Sequence, residues 1–485
     1  MPRQPRPAHT KRIGRSRALV SSLGLAAALL SPSLAQGQVQ MDELSLNDRM
    51  FYHRAVEAVV WAMPLLNFKQ YREGHRAIGV QTNDVAYYSK VQDWKFQTAT
   101  PNNTTPYISF FWNVKDGPVV VEIPASAEGV GIFGTLMDAW QRPIEDVGAR
   151  GKDGGLGAKY LLVPPGYDGD VLAGALTYRQ RTYNGFAILR PIIADASPEN
   201  LAKAEAFAKQ IKVYPLDQAD DPPENRYVDI YGRLMEGTPI LDGSIYRELH
   251  HILQEEVVED QNLAMMGMLS HIDIRKGVPF EPDAETMEIY DAAARDALQY
   301  MIEQYHRHLN PRVYAGKRWS TLTPPGNRET EFTYEFPDRF DYHARGALYY
   351  AVISSVKNYG SATYYVDLAE DETGNWLDGG STYKLVVPPN VPARDFWSVV
   401  VYDLETAAWI RDVPKVGLDS SMEDLVANPD GSVDIYFGPN APDGKEGNWI
   451  PTREGRRFIL LFRFYGPEPA ALDGSWELND VQRID

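Results

Sequence analysis

Two blocks of short apolar runs, each cut by glycine and proline, bracket a stretch with helical periodicity, and this order constrains the fold more than any other feature of the chain. The first block starts near Gly117 and reads PVVVEIP, GIFGTLMDAW, AKYLLVPPGY and GFAILRPII. The second extends from about Phe332 to the end and contains STYKLVVPP, FWSVVVYD, SVDIYFG and RRFILLFRFYGP. Runs rich in β-branched and aromatic residues between turn formers predict strands. Between the blocks, Met287, Tyr290, Ala294, Leu298, Met301, Tyr305 and Leu309 recur three or four residues apart, which is one helical stripe. Ser197 before Pro198 and Glu199 marks the start of this helical stretch, and Asn310-Pro311 marks its stop. An earlier helix is expected from Asp48 to Gln70, carrying Met50, Val56, Val59, Val60 and Met63, with Pro64 bending or ending it. The two β blocks also echo each other. Fourteen residues separate Pro124 from Asp138, and fourteen separate Pro389 from Asp403, each a strand, a proline-stopped turn and a strand ending in an acid. Two sandwiches built on a similar hairpin would produce this.

The expected architecture is multi-domain and mainly β with a helical segment: a helical part over 36–75, a β-sandwich over 76–196, a helical segment over 197–330 and a second β-sandwich over 331–485. Residues 1–35 read as a secretory signal of the general type. Arg3, Arg6, Lys11, Arg12, Arg15 and Arg17 precede an apolar run of 13 residues, Ala18 to Leu30, and Ser33-Leu34-Ala35 supplies a small-residue cleavage site. Thirteen apolar residues are too few for a membrane span of about 20. Cleavage after Ala35 predicts a periplasmic or secreted protein with no membrane insertion, and removing six basic residues takes the net charge from −18 to −24. So acidic a surface, with no basic stripe, excludes a nucleic-acid partner. The absence of cysteine excludes disulfides, thiolate metal sites and cysteine nucleophiles.

Several segments carry a resemblance. TPNNTTPYISFFWNVKDGPVVVEIP, DAWQRPIEDVG and GGLGAKYLLVPPGY, followed by DFWSVVVYD, NPDGSVDIYFGP, NWIPT and LDGSWE, resemble in order and spacing the paired domains of unknown function 1254 and 1214. The resemblance implies an exported bacterial protein with an N-terminal helical part, an immunoglobulin-like sandwich, a helical middle and a C-terminal jelly-roll-like sandwich. It implies no settled reaction. Where the family often has Asn-Asn-Asp-Thr, this chain has Asn102-Asn103-Thr104-Thr105, so a mechanism that needs a carboxylate there lacks it here.

The candidate chemistry sits in three places. In TPNNTTPY, Asn103, Thr105 and Tyr107 supply fixed hydrogen-bonding groups next to the aromatic run Phe110, Phe111, Trp112, the mixture found in small-molecule pockets. The same residues between Pro101 and Pro106 also suffice for a rigid turn. In DAWQRPIEDVG, Asp138, Trp140 and Arg142 alternate along an extended strand and share a face, so Arg142 could clamp a carboxylate while Asp138 or Glu145, next to Asp146, does acid–base work. A structural Asp–Arg pair under a tryptophan explains them equally. In GGLGAKYLLVPPGY, Lys159 and Tyr160 could form a base and phenolate pair, although a glycine turn leading into a strand needs no such role. His250, His251, Glu255 and Glu256, with His271, His306 and His308, lack metal-ligand spacing and suit solvated or packing roles. Trp449, Asp473 and Trp476 could line a second sugar-like site or serve as turn and strand-end residues. No cofactor is indicated, and a divalent metal joining the acids is left open, as is homo-oligomerisation. The functional expectation is a hydrolase acting on a small polar or carbohydrate-like substrate in a cleft between the first sandwich and the helical segment. The alternative is a noncatalytic periplasmic protein that holds such a ligand.

Overall fold

The computed structural model describes residues 44–358 and 363–485. The expected signal, 1–35, and positions 36–43 of the expected helical part lie outside the described residues. Helix α1 (Leu46–Ala77) starts on Ser45, whose hydroxyl accepts from the Asp48 amide, and the Asp48 carboxylate favours the positive end of the helix. Pro64 does not end it. Proline cannot donate to the carbonyl four residues back, so it leaves the Val60 carbonyl without an intrahelical donor. That spot is where another helix, the one containing Gly346, crosses so closely that a Cβ at Gly346 would lie 2.2 Å from the Val60 oxygen. The helix persists because tertiary packing surrounds it on nearly every side.

The first half contains β1 (Val85–Tyr87), β2 (Phe96–Gln97), β3 (Ile108–Asn113), β4 (Val119–Ile123), β5 (Gly131–Asp138), β6 (Pro143–Gly148), β7 (Ala158–Val163), β8 (Leu176–Arg179) and β9 (Asn184–Ile192). After helix α2 (Pro198–Ala208) come β10 (Lys212–Pro215), β11 (Tyr227–Asp229) and β12 (Met235–Glu236). The helical middle holds α3 (Ile245–Glu255), α4 (Leu263–Ser270) and α5 (Ala284–Glu303). The second half holds β13 (Ser320–Thr321), α6 (Tyr342–Ala351), β14 (Thr363–Leu368), β15 (Tyr383–Val387), β16 (Ala393–Asp403), β17 (Gly417–Asp419), β18 (Val433–Gly438), β19 (Trp449–Pro451), β20 (Phe458–Pro467), α7 (Pro469–Leu472) and β21 (Gln482–Arg483). The protein is thus mainly β with a helical segment, but the stretch read as helical from 197 also supplies strands β10 and β11 to the first sandwich. In turn α6 falls in the stretch read as the second sandwich.

The two sandwiches share one topology. The first has a sheet ordered β1-β3-β9-β5-β6, extended by β11, facing a sheet ordered β10-β4-β7-β8. The second has β13-β14-β20-β16-β17 facing β21-β15-β18-β19. Strand for strand, in the same chain order, the pairings agree in direction, including the parallel pairs β7–β8 and β18–β19. The sequence echo is therefore structural, with one correction. The strands around Pro124 and around Pro389 are not hairpins: β4 and β5, like β15 and β16, belong to opposite sheets of their sandwich, and the proline turn crosses between them. Asp138 and Asp403 end equivalent strands and do the same work. Each caps the following turn through backbone amides and pairs with an arginine, Arg142 or Arg456.

Both large sheets are buried on both faces. Phe110, Trp112, Leu136, Ala187 and Leu189 point into the first sandwich, and Val399, Val401, Leu460 and Phe462 into the second. The alternate residues Phe111, Met137, Phe186, Ile188, Val400, Tyr402, Ile459 and Leu461 join one core with α1, α3, α5 and α6. This explains why strands such as GFAILRPII and FILLFRF are continuously apolar instead of alternating.

Candidate functional site

The turn TPNNTTPY is seated on the second sandwich. Thr100, with φ of 41°, donates its amide to the Ala407 carbonyl (2.7 Å) and its hydroxyl to the Ala351 carbonyl (2.8 Å). The Pro101 carbonyl accepts from the Tyr402 hydroxyl (2.6 Å) and from Arg463 Nη2 (3.3 Å). Asn102 Oδ1 accepts from the amide (2.9 Å) and hydroxyl (2.7 Å) of Thr104, an Asx-type turn, and the Tyr465 hydroxyl lies 3.0 Å from Thr104 Oγ1. So the stretch is a rigid turn, and it is also a place where the two sandwiches meet. Asn102 Nδ2, Asn103 Oδ1 and Thr105 Oγ1 are buried there with no hydrogen-bond partner among the described residues.

Two arginines face this seam, from equivalent places in the two sandwiches. On β9, Arg190 lies opposite Phe133, five positions along from the Gly185–Asp138 pair. On β20, Arg463 lies opposite Ser398, five positions along from the Phe458–Asp403 pair. Each has a tyrosine on its other side: Tyr107 just before β3, and Tyr365 on β14 in direct register with Arg463. Arg190 Nη2 donates to the Tyr107 hydroxyl (3.1 Å) and Arg463 Nη2 to the Tyr402 hydroxyl (2.6 Å). The Arg463 guanidinium also lies 5.4 Å from the Tyr365 ring. Arg190 Nε, Arg463 Nη1 and Ser398 Oγ are buried and unpartnered.

No carboxylate of the described residues hydrogen-bonds or ion-pairs with either guanidinium. By contrast Arg72 and Arg142, as buried as Arg463, are bidentate to Glu255 and to Glu259. Burial works to lower the pKa of Arg190 and Arg463, and the surrounding tyrosine oxygens outweigh it and raise both. The reciprocal effect falls on Tyr365. Burial would raise its phenol, but Arg190 and Arg463 together hold it below the usual tyrosine range.

The other expected site residues lie elsewhere. Asp138 and Arg142 form part of a closed ion network: Arg142 Nε donates to Asp138 Oδ2 (2.7 Å), its Nη atoms to Glu259 (2.9 Å each), and Arg181 bridges Glu259 and Glu335 (2.6 and 2.8 Å). Trp140 packs on Trp61 and against Arg345, whose guanidinium is pushed down to about 9 by burial and by Arg142. Glu145 accepts from the Tyr178 hydroxyl (2.8 Å), while its neighbour Asp146 binds Thr135 and the amides of Lys357 and Asn358 on the opposite face. Lys159 and Tyr160 also point to opposite faces, Lys159 outward to Glu122 (2.8 Å) and Tyr160 into the sandwich core. Alternation along a strand thus separates both neighbouring pairs that the sequence had suggested as partners.

The histidines divide in the same way. His250 caps the Val278 carbonyl (2.8 Å), and Glu256 anchors β9 through the amides of Tyr183 and Asn184, whereas His306 is buried against Asp367 (2.7 Å). Trp449 and Trp476 donate to backbone carbonyls, and Asp473 closes a turn. Two open hollows, of about 120 Å³ beside Lys69 and Glu248 and about 290 Å³ beside Lys317 and Lys384, are lined by no side chain with an unpartnered buried polar atom. Sequence reasoning missed Arg190, Arg463, Tyr365 and Tyr465. The signal was a lone arginine inside each apolar strand, AILRPI and LLFRFY, since an arginine is almost never fully buried without a partner.

The fold and the site together define a tandem-sandwich protein, one topology used twice over a common helical layer with a polar seam between the copies. Residues 82–215 match the family described as Protein of unknown function (DUF1254), and residues 362–469 match Protein of unknown function (DUF1214). Both halves of the domain pair are therefore present, in N- to C-terminal order. No curated protein matches it. The crystal structure of the VPA0106 protein from Vibrio parahaemolyticus has a similar fold, with a TM-score of 0.50 at 16% identity over 90% of this chain and 100% of that one. A crystal structure of an uncharacterized protein from Burkholderia cenocepacia aligns over 90% of this chain and 94% of that one, at 12% identity and a TM-score of 0.40.

Proposed function

We propose that this protein binds a small polar molecule at the seam between its two sandwiches. The observation that carries the reading is the set of orphaned groups that separate segments bring to the seam: Asn103 Oδ1 and Thr105 Oγ1 of the turn, and Arg190 Nε and Arg463 Nη1 of the two sheets, whose other nitrogens bond the Tyr107 hydroxyl and the Pro101 carbonyl at the two ends of that turn. A buried polar group without a partner costs about 1–3 kcal/mol, and four along one seam are what a ligand there would satisfy. The basic-then-apolar order of residues 1–35 and the lack of cysteine support action outside the cytoplasm, in the periplasm or beyond. A second reading, a hydrolase-type enzyme acting on a small polar or carbohydrate-like substrate, is favoured by Tyr365. Two guanidiniums favour ionisation of this phenol, and the resulting phenolate can accept a proton from an attacking group. Asp138 and Glu145 support it less, because their oxygens are already engaged.

The test is thermal-shift screening of the protein against sugars, small carboxylates, aromatic acids and divalent metals, with each hit incubated and analysed by mass spectrometry. A ligand at about 100 times its dissociation constant adds about 2.7 kcal/mol of stability. Asn103→Ala and Thr105→Val should each reduce that gain. A hit indifferent to both substitutions would place binding outside the seam, and a hit that is consumed would select the enzyme reading.

A further inference from the structure

The repeat adds information about what the seam holds. Equivalent strands β9 and β20 deliver one arginine each, at the same distance along the strand from the turn-capping acid, and each arginine has a tyrosine in register beside it. Arg463 is 2% exposed, and Arg190 is partly exposed. Two positive charges are therefore brought together where their neighbours are phenols, amides and hydroxyls, with no carboxylate among the described residues bonded to either. An uncompensated charge in such surroundings is costly. Arg72 and Arg142 are paired with glutamates, whereas Arg190 and Arg463, like Arg345 elsewhere in the core, have none among the described residues, and of these three only Arg190 and Arg463 face the same seam.

We infer that the ligand of this seam is a small dianion bearing hydroxyl groups, with one guanidinium from each sandwich clamping its charged end and the turn Asn102–Thr105 reading its hydroxyls. Planar guanidinium forks suit carboxylate and phosphate oxygens alike. The unpartnered Arg190 Nε and Arg463 Nη1 are donors that such oxygens accept. Asn103 Oδ1 is an acceptor and needs a donor, which an anion lacks and a hydroxyl has. Thr105 Oγ1 and Ser398 Oγ can serve either partner. The aromatic walls, Tyr107 and Tyr365 with Phe396 stacked on Tyr465 at 4.0 Å, fit the apolar faces of a small ring or chain. Phosphorylated sugars and hydroxylated dicarboxylic acids share this chemistry. This inference rests on the reading of the seam as a ligand site.

The experiment is calorimetric titration of the protein with glucose 6-phosphate, tartrate, inorganic phosphate and uncharged glucose, repeated with Arg190→Gln and Asn103→Ala. The hydroxylated dianions should bind, more tightly than inorganic phosphate, while glucose should not. Arg190→Gln should raise their dissociation constant by about 30-fold, and Asn103→Ala should affect them while leaving inorganic phosphate unchanged. A preference between glucose 6-phosphate and tartrate would distinguish a phosphate head from a carboxylate one. Arg463 is the more buried of the pair, so its role is followed in the unmodified protein. A bound dianion competes for the guanidiniums and should move ionisation of Tyr365 to higher pH, read as a delayed rise in tyrosinate absorbance that Tyr365→Phe removes. Glucose binding that is lost in Asn103→Ala but untouched by Arg190→Gln would overturn the dianion and keep the seam. Binding unaffected by either substitution would overturn both.

Discussion

Arg142→Met should destabilise the protein severely, through Asp138. The guanidinium is 4% exposed and holds three carboxylates at once: Asp138 at 2.7 Å, Glu259 at 2.9 Å and Glu335 at 3.4 Å. After the substitution Glu259 and Glu335 retain Arg181, but Asp138, 3% exposed, keeps only the backbone amides of Trp140 and residue 142. Breaking a buried pair by removing one partner costs about 3–5 kcal/mol. The pH dependence has a defined sign. Asp138 is already raised by burial, with Arg142 opposing it, so the variant would raise it further. A carboxyl raised in the folded state costs stability at pH values above its unfolded pKa, by about 1.4 kcal/mol per pH unit up to its folded pKa. The deficit should therefore widen from about pH 4 upward. Asp138→Asn added to Arg142→Met removes the stranded charge and should recover a large part of the loss. Urea unfolding followed by tryptophan emission reads this directly, since Trp140 adjoins the network and packs 4.9 Å from Trp61. A single variant within about 1 kcal/mol of the parent, or a double variant no more stable than Arg142→Met alone, would refute a stabilising network.

Two further outcomes follow from packing and burial. His75 is enclosed against Tyr71 and Phe111, and burial pushes it down to about 4, with the Tyr71 carbonyl opposing. The unfolded chain takes up a proton there below about 6.5 and the folded protein does not until about 4, so stability should fall by about 3 kcal/mol as pH drops through that window, and His75→Phe should flatten the slope of the urea midpoint against pH. Gly346→Ala drives a methyl to 2.2 Å from the Val60 carbonyl at the crossing of α1 and α6 and should cost about 1–3 kcal/mol or more, seen as a lowered melting temperature. An unchanged melting temperature would mean that the two helices can separate.

The sequence made the order of sandwich, helices and sandwich legible because each block has its own period, and it made the duplication visible as the proline-to-aspartate spacing. It did not show that this spacing spans two sheets, since a hairpin and a crossover of equal length look alike in one dimension. The turn at Asn103, Thr105 and Tyr107 was identifiable by its density of polar groups. The arginines that face it were not, because Arg190 and Arg463 are single letters in strands otherwise read as core, and their significance depends on two segments some 270 residues apart meeting in space. Asp138 and Arg142 misled for the opposite reason. Their alternation was read as one strand face, but the strand ends at Asp138 and residues 139–142 turn back toward β6 with Gln141 at a φ of 61°, and the partners contributed by Glu259, Glu335 and Arg181 reveal a structural network.

Position 104 tests the electrostatic logic of the seam most sharply. The Thr104 hydroxyl bonds Asn102 Oδ1 at 2.7 Å and lies 3.0 Å from the Tyr465 hydroxyl. An aspartate there would add a fixed carboxylate beside a pair of arginines that lacks one. Its charge should stabilise the unliganded protein while lowering the affinity for glucose 6-phosphate or tartrate by tenfold or more, about 1.4 kcal/mol, because the site would then be partly neutralised by its own chain. Thr104→Asn is the matched neutral control: it makes the same change of shape and the same loss of the hydroxyl bond to Asn102, so the difference between the two variants isolates charge. If the aspartate and asparagine variants bind the dianions equally and unfold at the same urea concentration, the charge of the arginine pair is not what the seam uses. Opposite signs, with stability up and affinity down in Thr104→Asp relative to Thr104→Asn, would tie the turn and both arginines to one electrostatic site.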